Sequence, residues 1–241
     1  MRLNLSALGR ALFAIGFVFV VFLLFEQTHR IALNAMRALL ADWKLDWHRD
    51  PLAMALDRLC YGIFLSGAGW LLFRRLLPGA RAMTAASARR TEDSAMTGLL
   101  VGALSGVMLF AAIAGMHQVL VYLKLQPTPQ RGALSAALDA GPLIVLYHLI
   151  FTAAITAILE EVFFRGSLQA FLESRDLPPA IAIAFPALLF GMVHPVGVWP
   201  ALLGVGLAFG FLFWRYGLGS AILAHAVYNA LLLLSRFLFQ E

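Results

Sequence analysis

Glu160, His194, His225 and Asn229 are a carboxylate, two imidazoles and an amide, all set in strongly apolar runs. They occur in Leu159-Glu160-Glu161-Val162-Phe163-Phe164-Arg165, in Phe190-Gly191-Met192-Val193-His194, and in His225-Ala226-Val227-Tyr228-Asn229. An ionisable side chain at the centre of a membrane helix costs about 2.5–3.5 kcal/mol on insertion scales, so each one calls for an explanation. Hydrolysis by an activated water supplies one. A carboxylate such as Glu160 acts as general base toward water. His225 and Asn229 are four residues apart and share one helix face, where two side-by-side donors suit a developing oxyanion. His194, at the end of its run, is expected to meet Glu160 across a helix interface.

The two adjacent glutamates have to be separated. Successive helical residues point about 100° apart, so Glu160 and Glu161 cannot share one direction. Glu161 precedes Arg165 by four residues, the favourable order for an ion pair, and is expected to hold Arg165 and fix the helix end. Taken alone, that pair reads as a membrane-border anchor. His117 and His148, lone histidines in apolar runs, read as structural. Cys60 has apolar neighbours and reads as inert packing; as the single cysteine it forms no intramolecular disulfide. Convergence of a carboxylate, two histidines and an amide on one polar cavity is what favours function over structure here.

The elements that must position these residues are hydrophobic helices. Of the 241 residues, 61% are hydrophobic and 13% are charged. Soluble domains carry roughly 25% charged residues, so too few are present to cover a water-facing surface. The mean hydropathy of +0.84 agrees. The expected fold is all-α: a polytopic transmembrane helical bundle of about seven spans, four of which form the core carrying the site. At about 20 apolar residues per span, the candidates are 10–26, 56–77, 97–123, 142–163, 178–194, 197–214 and 218–238. The fifth and sixth are short and nearly abut at Pro195, which suggests a helical hairpin or a re-entrant segment.

Gln27–Leu52 mixes Arg37, Trp43, Lys44 and Trp47 with apolar residues and reads as an interfacial amphipathic segment. Residues 78–96 and 124–141, with their Pro, Gly and Ser, read as polar loops. The apolar run after Met1-Arg2 is followed by Glu26-Gln27-Thr28-His29, without a small-x-small cleavage pattern, and is expected to be a retained first span. The balance of Lys and Arg leans narrowly toward a cytoplasmic N-terminus. Residues 1–140 are expected to form N-terminal spans and interfacial segments, and 141–241 the catalytic helical core. The GxxxG pairs Gly102/Gly106 and Gly206/Gly210 read as sites of close helix packing.

The net charge of +5 does not point to nucleic acid. Arg74, Arg75, Arg89 and Arg90 flank apolar runs, where basic residues anchor helix ends and meet lipid head groups.

In the order Glu160-Glu161 with Arg165, Phe190 with His194, and His225 with Asn229, the chain resembles the CAAX protease and bacteriocin-processing family of intramembrane endopeptidases, the type II CAAX prenyl protease-like family. The resemblance covers about 142–235. It implies a helical membrane fold and cleavage of peptide bonds near substrate C-termini, some of them prenylated. Carried over by position, it implies that Glu160 activates water with help from His194 and that His225 and Asn229 form the oxyanion site. Glu161, Arg165 and Phe190 are then supporting residues.

Metal dependence has also been described for the family. The sequence lacks HExxH, and a zinc ion would have to use Glu160, His194 and His225. The metal-free mechanism is favoured because an amide such as Asn229 is a poor zinc ligand and a good oxyanion donor, so no cofactor is expected. Two other functions use the same residues: a proton-coupled membrane carrier, and a non-catalytic membrane scaffold. The expected partners are membrane lipids and a protein or peptide substrate, lipidated or not. The expected location is a multi-pass position in a membrane, the plasma (inner) membrane if the source is bacterial.

Overall fold

The computed structural model describes residues 5–45, 51–74, 95–124, 142–175 and 177–238. Among these residues every regular element is helical, with no strand. We number the helices α1 (Leu5–Leu39), α2 (Pro51–Arg74), α3 (Ala95–Tyr122), α4 (142–173), α5 (Pro179–Met192), α6 (Trp199–Tyr216) and α7 (Leu218–Leu238). All seven expected spans have a helix. The expected loop 78–96 lies outside the described residues except where α3 begins at Ala95, and of 124–141 only Lys124 is described.

Among the described residues, five helices are long and apolar enough to cross a membrane: the stretches 12–39, 95–122, 145–173, 196–216 and 218–235. Leu12, Phe13 and Leu24 of α1, with Met96, Leu104 and Met108 of α3, face outward, as lipid-facing side chains do. The chain is an integral membrane protein. At 14 residues, α5 is about 21 Å long, short of the roughly 30 Å hydrocarbon core. It forms the expected hairpin with α6: Gly206 packs on Ala187 and Gly210 on Ile183, so the two helices run antiparallel.

The first helix departs from expectation. It continues through Gln27 to Leu39 instead of ending near 26, so that part of the expected interfacial segment is helical and joined to the first span. Some of its polar side chains are satisfied within the helix: Arg30 pairs with Glu26 at 3.1 Å, and the Thr28 hydroxyl donates to the Leu24 carbonyl at 2.8 Å. A short 3₁₀ turn, Ala41–Trp43, follows.

Helix α4 is the spine of the molecule. It is α-helical over Pro142–His148, Thr156–Phe163 and Ala170–Glu173, and π-helical over Leu149–Ile155 and Phe164–Gln169. In both wide turns a hydroxyl bonds the carbonyl five residues back, Thr156 to Phe151 at 2.9 Å and Ser167 to Val162 at 3.0 Å. Wide turns of this kind often accompany functional sites because they change which residues face a neighbour.

Two apolar clusters flank α4. One joins Phe22 and Phe25 of α1, Leu65 of α2, Phe163 and Phe164 of α4, and Phe190 of α5. The other centres on Phe209 and Phe213 of α6 with Ala221 and Ala224 of α7. Close helix contact depends on glycine at the expected positions. A Cβ on Gly102 would lie 2.5 Å from the Ser220 carbonyl oxygen, and one on Gly106 would lie 2.5 Å from that of Ala224. The rising register shows that α3 and α7 run parallel.

Candidate active site

Glu160 and Glu161 are both buried on α4, and their partners come from α2, α7 and α4 itself. Glu161 Oε1 accepts from Arg165 Nη1 at 2.9 Å, as the spacing predicts. The same oxygen lies 2.8 Å from His225 Nδ1 on α7. A carboxylate only accepts, so Nδ1 carries a proton. The other ring nitrogen, Nε2, faces Glu160 Oε2 at 3.7 Å. One imidazole therefore spans two glutamates that point about 100° apart, because its nitrogens lie on different edges of the ring.

Arg165 is fully buried, and its surroundings explain why that is tolerated. Beyond Glu161, its Nη2 donates to the Gly206 carbonyl at 2.9 Å. Its guanidinium lies 5.1 Å from the ring centre of Phe190, 5.6 Å from Phe209 and 5.9 Å from Phe164, within cation–π range. One turn further along α4, Gln169 repeats the pattern with Glu173 at 2.9 Å and the Gly210 carbonyl at 3.0 Å. The Gly206/Gly210 pair thus serves two purposes: it lets α5 approach α6 and it bares carbonyls to the polar edge of α4.

Phe190 touches both histidines. Its ring centre is 5.0 Å from that of His194 and 5.7 Å from that of His225, and Phe209 stacks on His225 at 4.7 Å. His194 sits in the turn after α5, half-buried. Its Nδ1 donates to the Phe190 carbonyl at 2.8 Å, which leaves Nε2 with a lone pair. Trp199 Nε1 donates to the His194 carbonyl at 2.7 Å and fixes the turn.

The expected direct meeting of His194 with Glu160 does not occur: no hydrogen bond or ion pair joins them. His194 is held instead to its own helix end. The division of labour between the glutamates also changes. Glu161 holds His225 as well as Arg165, and Glu160 is the carboxylate beside His225 Nε2. Asn229, one turn beyond His225 on α7, is half-buried, and its side-chain amide makes no hydrogen bond among the described residues. His148, read as structural, is buried beside Thr152 at 3.2 Å, outside this cluster.

Glu160 has a further partner that the sequence did not reveal. Tyr61 of α2 donates its hydroxyl to Glu160 Oε1 at 3.2 Å. The one available signal was a tyrosine inside an apolar run, since a phenol away from water needs a polar partner.

The zinc alternative would need Glu160, His194 and His225 to converge. Among the described residues no group of three or more His, Cys, Asp or Glu is gathered so as to hold a metal ion. Glu160 and His225 approach each other, but His194 does not join them as a third ligand.

Apolar outer faces around a buried set of carboxylate, imidazole and guanidinium define a polytopic helical membrane protein with an ionisable centre. Residues 142–231, which hold every expected site residue, match the family of type II CAAX prenyl endopeptidase Rce1-like proteins. This part of the chain is similar to that family, and the match supports a CAAX-type membrane protease. No curated protein and no solved structure matches the chain.

Proposed function

We infer that the chain hydrolyses peptide bonds within the membrane, near the carboxyl ends of its substrates, with Glu160 as the base that activates water. The observation that carries this reading is the facing pair of Glu160 Oε2 and His225 Nε2, 3.7 Å apart. A water lying to one side of that pair is within hydrogen-bonding reach of both atoms. Glu161 and Arg165 brace the imidazole from the other side.

In the proposed reaction, Glu160 takes a proton from water and the hydroxide attacks the carbonyl carbon. The carbonyl oxygen becomes an oxyanion, met by the Asn229 amide and by His225 Nε2–H when both ring nitrogens are protonated. In that form the formal charges of Glu160, Glu161, Arg165 and His225 cancel, which suits four buried groups. On collapse the C–N bond breaks and Glu160 returns its proton to the leaving amine. The lone pair on His194 Nε2, at the edge of the cluster, is suited to orient water or a substrate N–H. The substrate is a protein or peptide tail, and the apolar surroundings of the site suit a lipidated one.

The test uses the full chain in liposomes with farnesylated and unmodified peptides ending in CAAX sequences. Cleavage by the wild type, lost in Glu160→Gln while peptide binding persists, supports the reading. A wild type that binds but cleaves none of them would favour the scaffold. Ion flux abolished by Glu160→Gln would favour the carrier.

A further inference from the structure

Glu160 is held from outside the family-matched segment. A glutamate's terminal torsion is broad and loosely restrained, so a carboxylate that must present one particular oxygen needs an outside contact. Tyr61 supplies it: its hydroxyl donates to Oε1 at 3.2 Å, leaving Oε2 to face His225. The tyrosine is itself fixed by α1. The ring centre of Phe25 lies 6.0 Å from that of Tyr61, and that of His29 lies 5.1 Å away, edge-on.

The next residue explains how α2 comes close enough. Gly62 is buried, and a Cβ there would lie 2.6 Å from Leu159 Cδ1, the side chain immediately before Glu160. The missing side chain lets α2 settle against the turn of α4 that carries the carboxylate. Two adjacent α2 residues thus act on two adjacent α4 residues, one by hydrogen bond and one by close approach.

We propose that Tyr61 is a positioning residue for Glu160: it occupies Oε1, fixes the carboxylate plane, and commits Oε2 to the attacking water. The inference rests on the reading of Glu160 as the base, and it makes α2 part of the working site.

The test compares full-length wild type, Tyr61→Phe and a 4-aminophenylalanine substitution at position 61 in liposomes, with a farnesylated CAAX peptide as probe. Tyr61→Phe keeps the ring and removes only the donor. A loss of about tenfold in kcat is expected, the order of one hydrogen bond to a charged group, with KM and the thermal midpoint unchanged. The amino variant, which keeps an N–H donor, should recover much of that loss. Unchanged kcat in Tyr61→Phe overturns the proposal, as does an equal loss in both variants or a loss matched by a lower thermal midpoint. Glu160→Gln in the same series separates the two claims. If it cleaves normally, the reading of the base is wrong. If it is inactive while Tyr61→Phe is normal, only the positioning role falls.

Discussion

Glu161 and His225, 64 residues apart in sequence, are joined at 2.8 Å through the same carboxylate oxygen that holds Arg165. This bond ties α7 to α4 and sets the imidazole edge that faces Glu160. Stability and activity therefore share a residue, and substitutions around Glu161 should affect both.

Arg165→Ala is expected to lower folded yield and abolish cleavage together. It leaves Glu161 buried with only His225 as partner, and breaking a buried ion pair costs about 3–5 kcal/mol. Arg165→Lys keeps the charge but loses the planar fork that reaches Glu161 and Gly206 at once, so it should rescue little. Thermal unfolding in detergent, read beside peptide cleavage, checks both. Wild-type stability in Arg165→Ala would show that the cluster does not brace α4.

Gly102→Ala and Gly106→Ala should each separate α3 from α7. The added Cβ would meet backbone oxygen at 2.5 Å in both cases, and backbone yields less than a side-chain tip. Gly106 packs on Ala224, the neighbour of His225, so Gly106→Ala should also disturb the imidazole. Lower thermal midpoints in both variants, with the larger loss of cleavage in Gly106→Ala, are expected. Gly204→Ala, with open space at its Cβ, is the control that should change neither.

Cleavage is expected to survive strong chelators. Glu160 and His225 stand close together, but no third ligand joins them, and His194 Nδ1 is taken by the Phe190 carbonyl. Activity measured before and after incubation with 1,10-phenanthroline, then with added zinc, decides the matter. Loss on chelation with recovery on zinc would require a rearranged site.

The sequence carried the seven helices and the partners that lie on one helix, because hydropathy and the four-residue spacing are local properties. Glu161–Arg165 is the example: its geometry follows from helix periodicity alone. Partners across helices were less legible. Spacing places His194 on Glu160, whereas His225 stands there, because the way α7 meets α4 depends on packing and on π-helical turns in α4 that spacing rules do not encode. Tyr61 is illegible for a related reason: its value depends on Gly62 meeting Leu159, and neither residue is unusual in an apolar helix. The length of α1 is not legible in the sequence because Glu26 and Arg30 look interfacial there, while in the fold they pair within the helix.

Asn229 gives the sharpest separation of chemistry from stability. Its amide forms no hydrogen bond among the described residues and is only half-buried, so Asn229→Ala should leave the thermal midpoint nearly unchanged. If the amide meets the oxyanion, the same variant should lose about 10²–10³-fold in kcat, the usual cost of removing one such donor. Asn229→Asp should be worse than Ala, because it puts a carboxylate where negative charge develops, while Asn229→Gln tests whether reach matters. Peptide affinity, measured in the Glu160→Gln background, should be unaffected by Asn229→Ala, since the interaction forms only as the carbonyl becomes tetrahedral. A variant with reduced affinity but normal kcat would place Asn229 in ground-state binding and leave the oxyanion to His225 alone.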